Sequence, residues 1–435
     1  MKNMISIFLF LLLSGAIVGQ THVSGGLYSN TNWTVANSPY IVTGKLIVFP
    51  DYTLTIEPGV IVKFDSGSSL ECRGRLSAIG TASDSITFTS NSDSPFEGSW
   101  QGIIVIGLDF SAPSGQVKME YCKGMYANCF IDLDLAYQGP YIFNHCYFYK
   151  NSKVNYDGGT GGTFFNYCRF QSNTSALNYV QFGGRVSHSE FFDNGDGVNG
   201  FENVDSCVFH NNINIALSPY GSATGNIVYD NNIGVQCYFN AKNNTFIRNQ
   251  VYNNNIGVDI LSYFNGSINF RKNFICNNTL FNIRNSGIND ANIGYNCYCS
   301  IDSIEVRAGI YDGYTDSSVG LVSFMPLLSS CDSFVEPGDS IPTFDSVPIF
   351  DSTNRVDQGI KIYPNPVLSN GTINILLNKN VTNGVLSIFN LMGTKVYSQK
   401  FVGAEKRITC NLPQGIYLLQ IVEGKQSWLK KFYKE

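Results

Sequence analysis

At 435 residues the chain has room for two or three domains. Only 14% of its residues are charged and the net charge is −5, so it lacks the basic footprint of a nucleic-acid binder. The 42 glycines, 25 tyrosines and 31 phenylalanines favour strands joined by tight turns, and no long segment carries a capped amphipathic helical period, so the fold class is all-β.

Residues 1–20 read as an export signal: Lys2 gives the positive start, and Ile5 to Val18 is an apolar run too short for a typical membrane span. Cleavage is expected near Gly19 or Gln20, and with no cysteine just after the run a lipid anchor is not expected. No other stretch is long and apolar enough to span a bilayer, so the mature chain is expected to carry no transmembrane segment.

From Tyr40 the chain reads as short apolar runs punctuated by turns, such as Leu54-Thr55-Ile56 before Glu57-Pro58-Gly59, and Val60 to Phe64 before Asp65-Ser66-Gly67. Ile86 to Thr89 and Trp100-Gln101-Gly102-Ile103 continue the series. The phrases Leu54 to Gly59 and Trp100 to Ile103 resemble the opening coils of right-handed parallel β-helix proteins exported by bacteria.

A repeat then takes over. With Cys146 as position zero, Phe143 lies at −3, Phe148 at +2 and Asn151 at +5. The phrase returns with position zero at Cys168, Ser189, Cys207, Asn226, Asn249 and Asn273, with weaker copies at Cys122 and Asn296, at steps of 18 to 24 residues. A period near twenty residues with tolerated insertions marks a stacked solenoid. Positions zero and +2 share one face of a strand and are apolar, small or asparagine, so they point inward, while −3 falls on the preceding strand across a bend. Asparagine at +5 suits a turn through its tolerance of left-handed backbone, and stacked turn amides can bond from coil to coil. The resemblance to asparagine-rich parallel β-helix proteins covers roughly residues 40–330. About twelve coils at about 4.8 Å each make a rod on the order of 55 Å long.

Twelve cysteines in an exported chain raise the question of disulfides. Cys122, Cys146, Cys168 and Cys207 share position zero, where they are either bonded between neighbouring coils or small buried residues interchangeable with Ser189 and Asn226. Cys297 and Cys299 flank one residue and point to opposite faces of a strand, which disfavours a joint metal site, and no cluster has zinc-like spacing. No metal and no cofactor is expected.

Ala308 to Tyr314 and Gly320 to Pro326 resemble the closing segment that caps such a stack, placing the β-helix with its caps at 21–331. Residues 332–358, dominated by Asp, Ser, Pro and Gly, read as a linker. A compact β domain at 359–435 follows, with strands and turns that fit a small β-sandwich. Its phrases are Tyr363-Pro364-Asn365-Pro366, a turn at Gly393, and Gly415-Ile416-Tyr417. These resemble the C-terminal sorting domain of type IX secretion in Bacteroidetes, which implies passage through the periplasm to the outer-membrane surface or beyond. The type IX machinery is then a partner, and the sorting motif is Tyr363, Pro364, Asn365, Pro366, Gly393, Gly415 and Tyr417.

Parallel β-helices often host polysaccharide lyases and hydrolases, and glycoside hydrolysis requires paired carboxylates at a defined separation. Asp132 with Asp134, and Asp193 with Asp196, have no basic partner in phrase and read as solvated turn acids. His145 and His188, both at position −1, point outward two coils apart, about 10 Å and too far to share a metal. Position +3 is more suggestive. It holds Tyr149, Phe192, His210, Tyr229 and Tyr252, interrupted by Gln171. The row is either an outward aromatic stripe suited to binding sugars or proteins, or a second interior row turned in by a tight bend. The reading is therefore a secreted or surface β-helix that binds, adheres or scaffolds, with surface polysaccharide or an extracellular glycan as the partner class. The alternative is a carbohydrate-active enzyme whose acidic site assembles from different coils.

Overall fold

The computed structural model describes residues 19–107, 115–136, 139–157, 162–180, 183–239, 244–263, 269–328, 360–363, 367, 372–390, 395–413, 415–423 and 426–434. Most of the export signal, the linker and the motif residues Pro364, Asn365, Pro366 and Gly393 lie outside these. The chain forms two compact units that part between Val347 and Pro348.

The first unit is a parallel β-solenoid. Each coil lays down three strands, as in Tyr141–Asn144, Tyr147–Tyr149 and Lys153–Asp157, followed one coil later by Thr163–Asn166, Arg169–Gln171 and Ser175–Val180. The first face of every coil belongs to an 11-stranded sheet and the other two to a 23-stranded sheet, in which each strand pairs in parallel with its counterpart one coil away. Eleven strands in the first sheet make the stack about eleven coils rather than twelve.

Positions −3, zero and +2 all point inward. Phe143, Cys146 and Phe148 are no more than 1% exposed, and the same holds for Val204, Cys207 and Phe209. Position −3 lies on the 11-stranded sheet, across a bend from zero and +2, as the repeat requires. Inward phenylalanines stack along the axis, Phe148 on Phe170 at 5.1 Å, Phe170 on Phe191 at 4.3 Å and Phe191 on Phe209 at 4.7 Å.

The bends show how the polar positions work. Asn151, Asn173, Asn194, Asn212, Asn231 and Asn254 are buried, and each Nδ2 donates to the Oδ1 of the next at 2.8 to 3.1 Å, ending on Asn278. The same Oδ1 accepts the backbone N–H of the preceding asparagine, and Nδ2 also donates to the +2 carbonyl of the coil before, as Asn173 does to Phe148 at 3.1 Å. Amide ladders of this kind satisfy a buried bend completely, where orphaned groups would each cost about 1–3 kcal/mol.

In one respect the bend differs from expectation: the left-handed residue is not the asparagine. It is the residue before it, at +4: Lys150, Ser172, Asp193, Asn211, Asp230, Asn253 and Asn277 all have φ between 51° and 57°. The other bend repeats the device one residue before position zero, at Tyr121, His145, Tyr167, His188, Ser206, Arg248 and Lys272. A non-glycine residue held left-handed costs about 1–2 kcal/mol, which the inward polar residue that follows offsets through its hydrogen bonds.

This also explains position zero. Cys168 directs its Sγ to the carbonyl of Phe143 at 3.4 Å, and Asn226 directs its Nδ2 to that of Val204 at 3.0 Å, each the −3 carbonyl of the preceding coil. Cysteine and asparagine are interchangeable there because both donate to one carbonyl, and a second ladder runs Asn226, Asn249, Asn273, Asn296 at 2.9 to 3.1 Å. Cys122, Cys146, Cys168 and Cys207 are free buried thiols. Burial pushes the Cys146 and Cys168 thiols well above their usual range, so they stay protonated as donors.

At the opening end, the Trp-x-Gly phrase has a steric origin. Trp100 stacks on Phe64 at 3.8 Å and donates to the Met125 carbonyl at 2.8 Å. Gly102 has φ +127°, and a Cβ there would fall 1.6 Å from the carbonyl oxygen of Cys129, so only glycine fits. At the closing end, the Ser303–Ala308 helix, capped by Asp302, and the paired strands Ala291–Asn292 and Val322–Ser323 cover the stack, with a Cys276–Cys299 disulfide and an Arg307–Asp312 ion pair of 2.6 Å.

The second unit is a small antiparallel β domain of five strands, Ile360–Tyr363, Thr372–Asn390, Lys395–Thr409, Gly415–Glu423 and Gln426–Lys434. Register shifts between Leu376 and Gly384 bend the long second strand, whose first part pairs with Ile360–Tyr363 and whose last part pairs with Gly415–Glu423. Its own core includes Ile375, Ile388, Phe401, Leu419, Trp428 and Phe432. Tyr417 is buried and donates to the Pro413 carbonyl at 2.9 Å, while Tyr363 and Gly415 are strand positions.

Candidate binding surface

Since zero and +2 fill the interior, +3 emerges on the outer side of the second face. Phe192, His210, Tyr229 and Tyr252 occupy equivalent positions on four consecutive coils. Their rings stack nearly parallel at 5.3, 5.2 and 5.5 Å with interplanar angles of 10° or less. The row is outward but partly covered: Phe192 is 6% exposed, the His210 side chain 16%, and both tyrosines are half-buried.

Both ends of the stack are closed. The Arg169 guanidinium sits 5.1 Å from the Phe192 ring centroid, and Phe274 meets Tyr252 edge-on at 6.3 Å. Ring faces are therefore used inside the ladder, and the row offers solvent its ring edges and the hydroxyl tips of Tyr229 and Tyr252. Burial pushes both hydroxyls above their ordinary range, with Tyr252 and Asp230 respectively adding to it, so they remain neutral donors. Tyr149 stands apart, separated from Phe192 by Gln171 in the register, and packs with Tyr126, Tyr147 and Lys150 instead.

Beside the ladder, Glu190 accepts from Arg169 Nε at 2.8 Å and pairs with His210 Nε2 at 3.2 Å. Burial opposes ionisation of Glu190, but the hydrogen bond from His210 and the Arg169 charge outweigh it and hold the carboxyl below its ordinary range. A carboxylate with a lowered native pKa stabilises the fold above its unfolded value of about 4.3, and that contribution is lost as pH falls through the native value. Glu190→Gln is expected to lower stability by about 1–2 kcal/mol at pH 7. Urea unfolding should show the gap to wild type closing as the pH approaches 3, and a gap independent of pH would contradict the assignment.

The histidines at −1 are not isolated. Tyr121, His145, Tyr167 and His188 stack at 4.6, 5.1 and 4.9 Å, forming a second ladder at the other bend. The column was readable as position −1 of four successive copies, but reading the histidines singly leaves out the tyrosines that join them. Asp132 lies partly buried on its strand and Asp193 is one of the left-handed bend residues. Among the described residues no group of three His, Cys, Asp or Glu side chains could hold a metal ion.

Two parts of the chain match known protein families. Residues 361–435 match the family described as secretion system C-terminal sorting domain, and residues 26–126 match the pectate-lyase like beta helix domain. Among solved structures the chain is similar to a mutant of the periplasmic alginate epimerase AlgG, at 12% identity over 64% of this chain and 78% of that one, with a TM-score of 0.27. No curated protein matches.

Proposed function

We propose that this chain, a pectate-lyase-like β-helix protein exported by way of a type IX C-terminal sorting domain, works outside the cell or on its surface in binding or adhesion, with the +3 row as its contact face. The observation that supports this reading is the stack of Phe192, His210, Tyr229 and Tyr252, held in register on the outer side of a sheet whose inward positions are all committed to packing. Stacked and closed at both ends, the rings lose little freedom when a ligand docks, so their edges and hydroxyl tips are preorganised. A hydroxyl-rich partner, a surface polysaccharide or extracellular glycan, suits neutral tyrosine tips that can donate and accept.

Catalysis by the neighbouring acid is a poorer use of the same face. Glu190 is held ionised between Arg169 and His210 and so has no proton to give a leaving group. Tyr229→Ala and Tyr252→Ala, each opening the ladder, should reduce retention on a glycan array by about tenfold or more, a loss in line with truncating an aromatic anchor. Release of sugar product from a polysaccharide panel, abolished by removing one surface carboxylate, would instead show an enzyme.

A further inference from the structure

A second surface lies on the 11-stranded sheet, at the other bend of the coil, and goes beyond the +3 reading. Two outward rows run along it: Ile142, Phe164 and Arg185 in register on three coils, and Asn144, Asn166 and Ser187 beside them. With Tyr167 and His188 of the second ladder they line a groove of about 660 Å³. Phe164 and Tyr167 are 38% and 40% exposed, whereas the +3 phenylalanine, Phe192, is covered at 6%.

The polar groups of the groove are underused. Asn144 makes no side-chain hydrogen bond among the described residues, and Asn166 uses only its Oδ1, accepting from Ser187 Oγ at 2.8 Å. His188 carries a buried Nδ1 with no partner among the described residues. Along the +5 ladder the amides are fully used, as at Asn151 and Asn173, whereas the open amides here lie beside an exposed ring and give the surface hydrogen-bonding capacity to spare. Charge narrows the ligand. Among the described residues Arg185 is the one lysine or arginine lining the groove, and Asp205 neutralises it through a 3.0 Å ion pair. One coil away on the same two rows, Lys118 and Glu120 carry opposite charges.

We infer that this groove binds a neutral saccharide, with an apolar sugar face against Phe164 and hydroxyls on the Asn144 and Asn166 amides. Flat apolar area flanked by a few open amides, without net charge, complements a neutral pyranose and gives an anionic sugar nothing in return for its desolvation.

Isothermal titration of the full chain with laminarihexaose, cellohexaose and mannohexaose, with hexagalacturonate as the charged counterpart, tests this. At least one neutral hexasaccharide should bind, about tenfold more weakly to Phe164→Ala and to the Asn144→Ala/Asn166→Ala pair, and unchanged to Tyr252→Ala. Circular dichroism melts of both groove variants should match wild type, since the altered side chains are partly exposed. The inference is overturned by no neutral binding at millimolar ligand, by binding that survives both groove variants, or by preference for hexagalacturonate. Binding lost only in Tyr252→Ala would overturn it too while supporting the +3 row, so the two surfaces fail separately.

Discussion

A chain lacking residues 360–435 is expected to accumulate in the periplasm and to be absent from the cell surface. The sorting domain has its own core, and the hydrophobic cluster of the β-helix is built, among the described residues, from residues 33–324, so deletion removes the export address and is expected to leave the solenoid core in place. The effect is therefore expected to be close to complete, with the retained protein folded. A milder variant makes the same point. Trp428→Ala, which empties a buried position of the small domain at a cost of about 3–5 kcal/mol, should also block display while sparing the β-helix. Fractionation with protease shaving of intact cells reads both, and normal display of the truncated chain would reject the role of the domain.

The largest effect on the rod itself is expected at Asn194. Its Oδ1 accepts both the backbone N–H and the Nδ2 of Asn173 at 3.0 Å, and its Nδ2 donates to the Phe170 carbonyl at 3.0 Å and to Asn212. Asn194→Ala leaves the Asn173 N–H and one Asn173 amide hydrogen without partners in a fully buried bend and removes one hydrogen bond from the Phe170 carbonyl. At about 1–3 kcal/mol for each orphaned group, the loss is about 2 kcal/mol or more. Because coils in a solenoid contact only their neighbours, the weakness should be local at first. Hydrogen exchange at Asn173 and its neighbouring coils should accelerate before global unfolding, and the urea midpoint should fall. Unchanged exchange at Asn173 would mean that the ladder contributes nothing.

Much of this was legible because each inward position has a single job repeated many times. Positions −3, zero and +2 announce themselves by hydrophobic recurrence, and the +5 amide ladder by asparagine alone. What escaped is what side-chain identity does not encode. The left-handed residues at −1 and +4 include Tyr121, Lys150 and Arg248, types with no preference for that conformation; stacking imposes it, and the following polar residue holds it. Position zero looked like a choice between disulfide and small apolar residue because its real role, donating to a backbone carbonyl at the bend, depends on geometry that no local pattern reveals. The +3 row was visible as a column of aromatics, but only the coil spacing shows that the rings cover one another's faces. The groove was invisible for the same reason, since Ile142, Phe164 and Arg185 share nothing in type and meet only through register.

Removing the two hydroxyl tips without disturbing the stack tests the contact face most directly. In Tyr229→Phe/Tyr252→Phe the rings can keep their 5.5 Å stacking, so the fold and its melting point should hold. Probed as intact chain on a glycan array, the double variant is expected to lose the signal that the unaltered protein gives. Equal binding by the two proteins would contradict the assignment of the +3 row as the contact face.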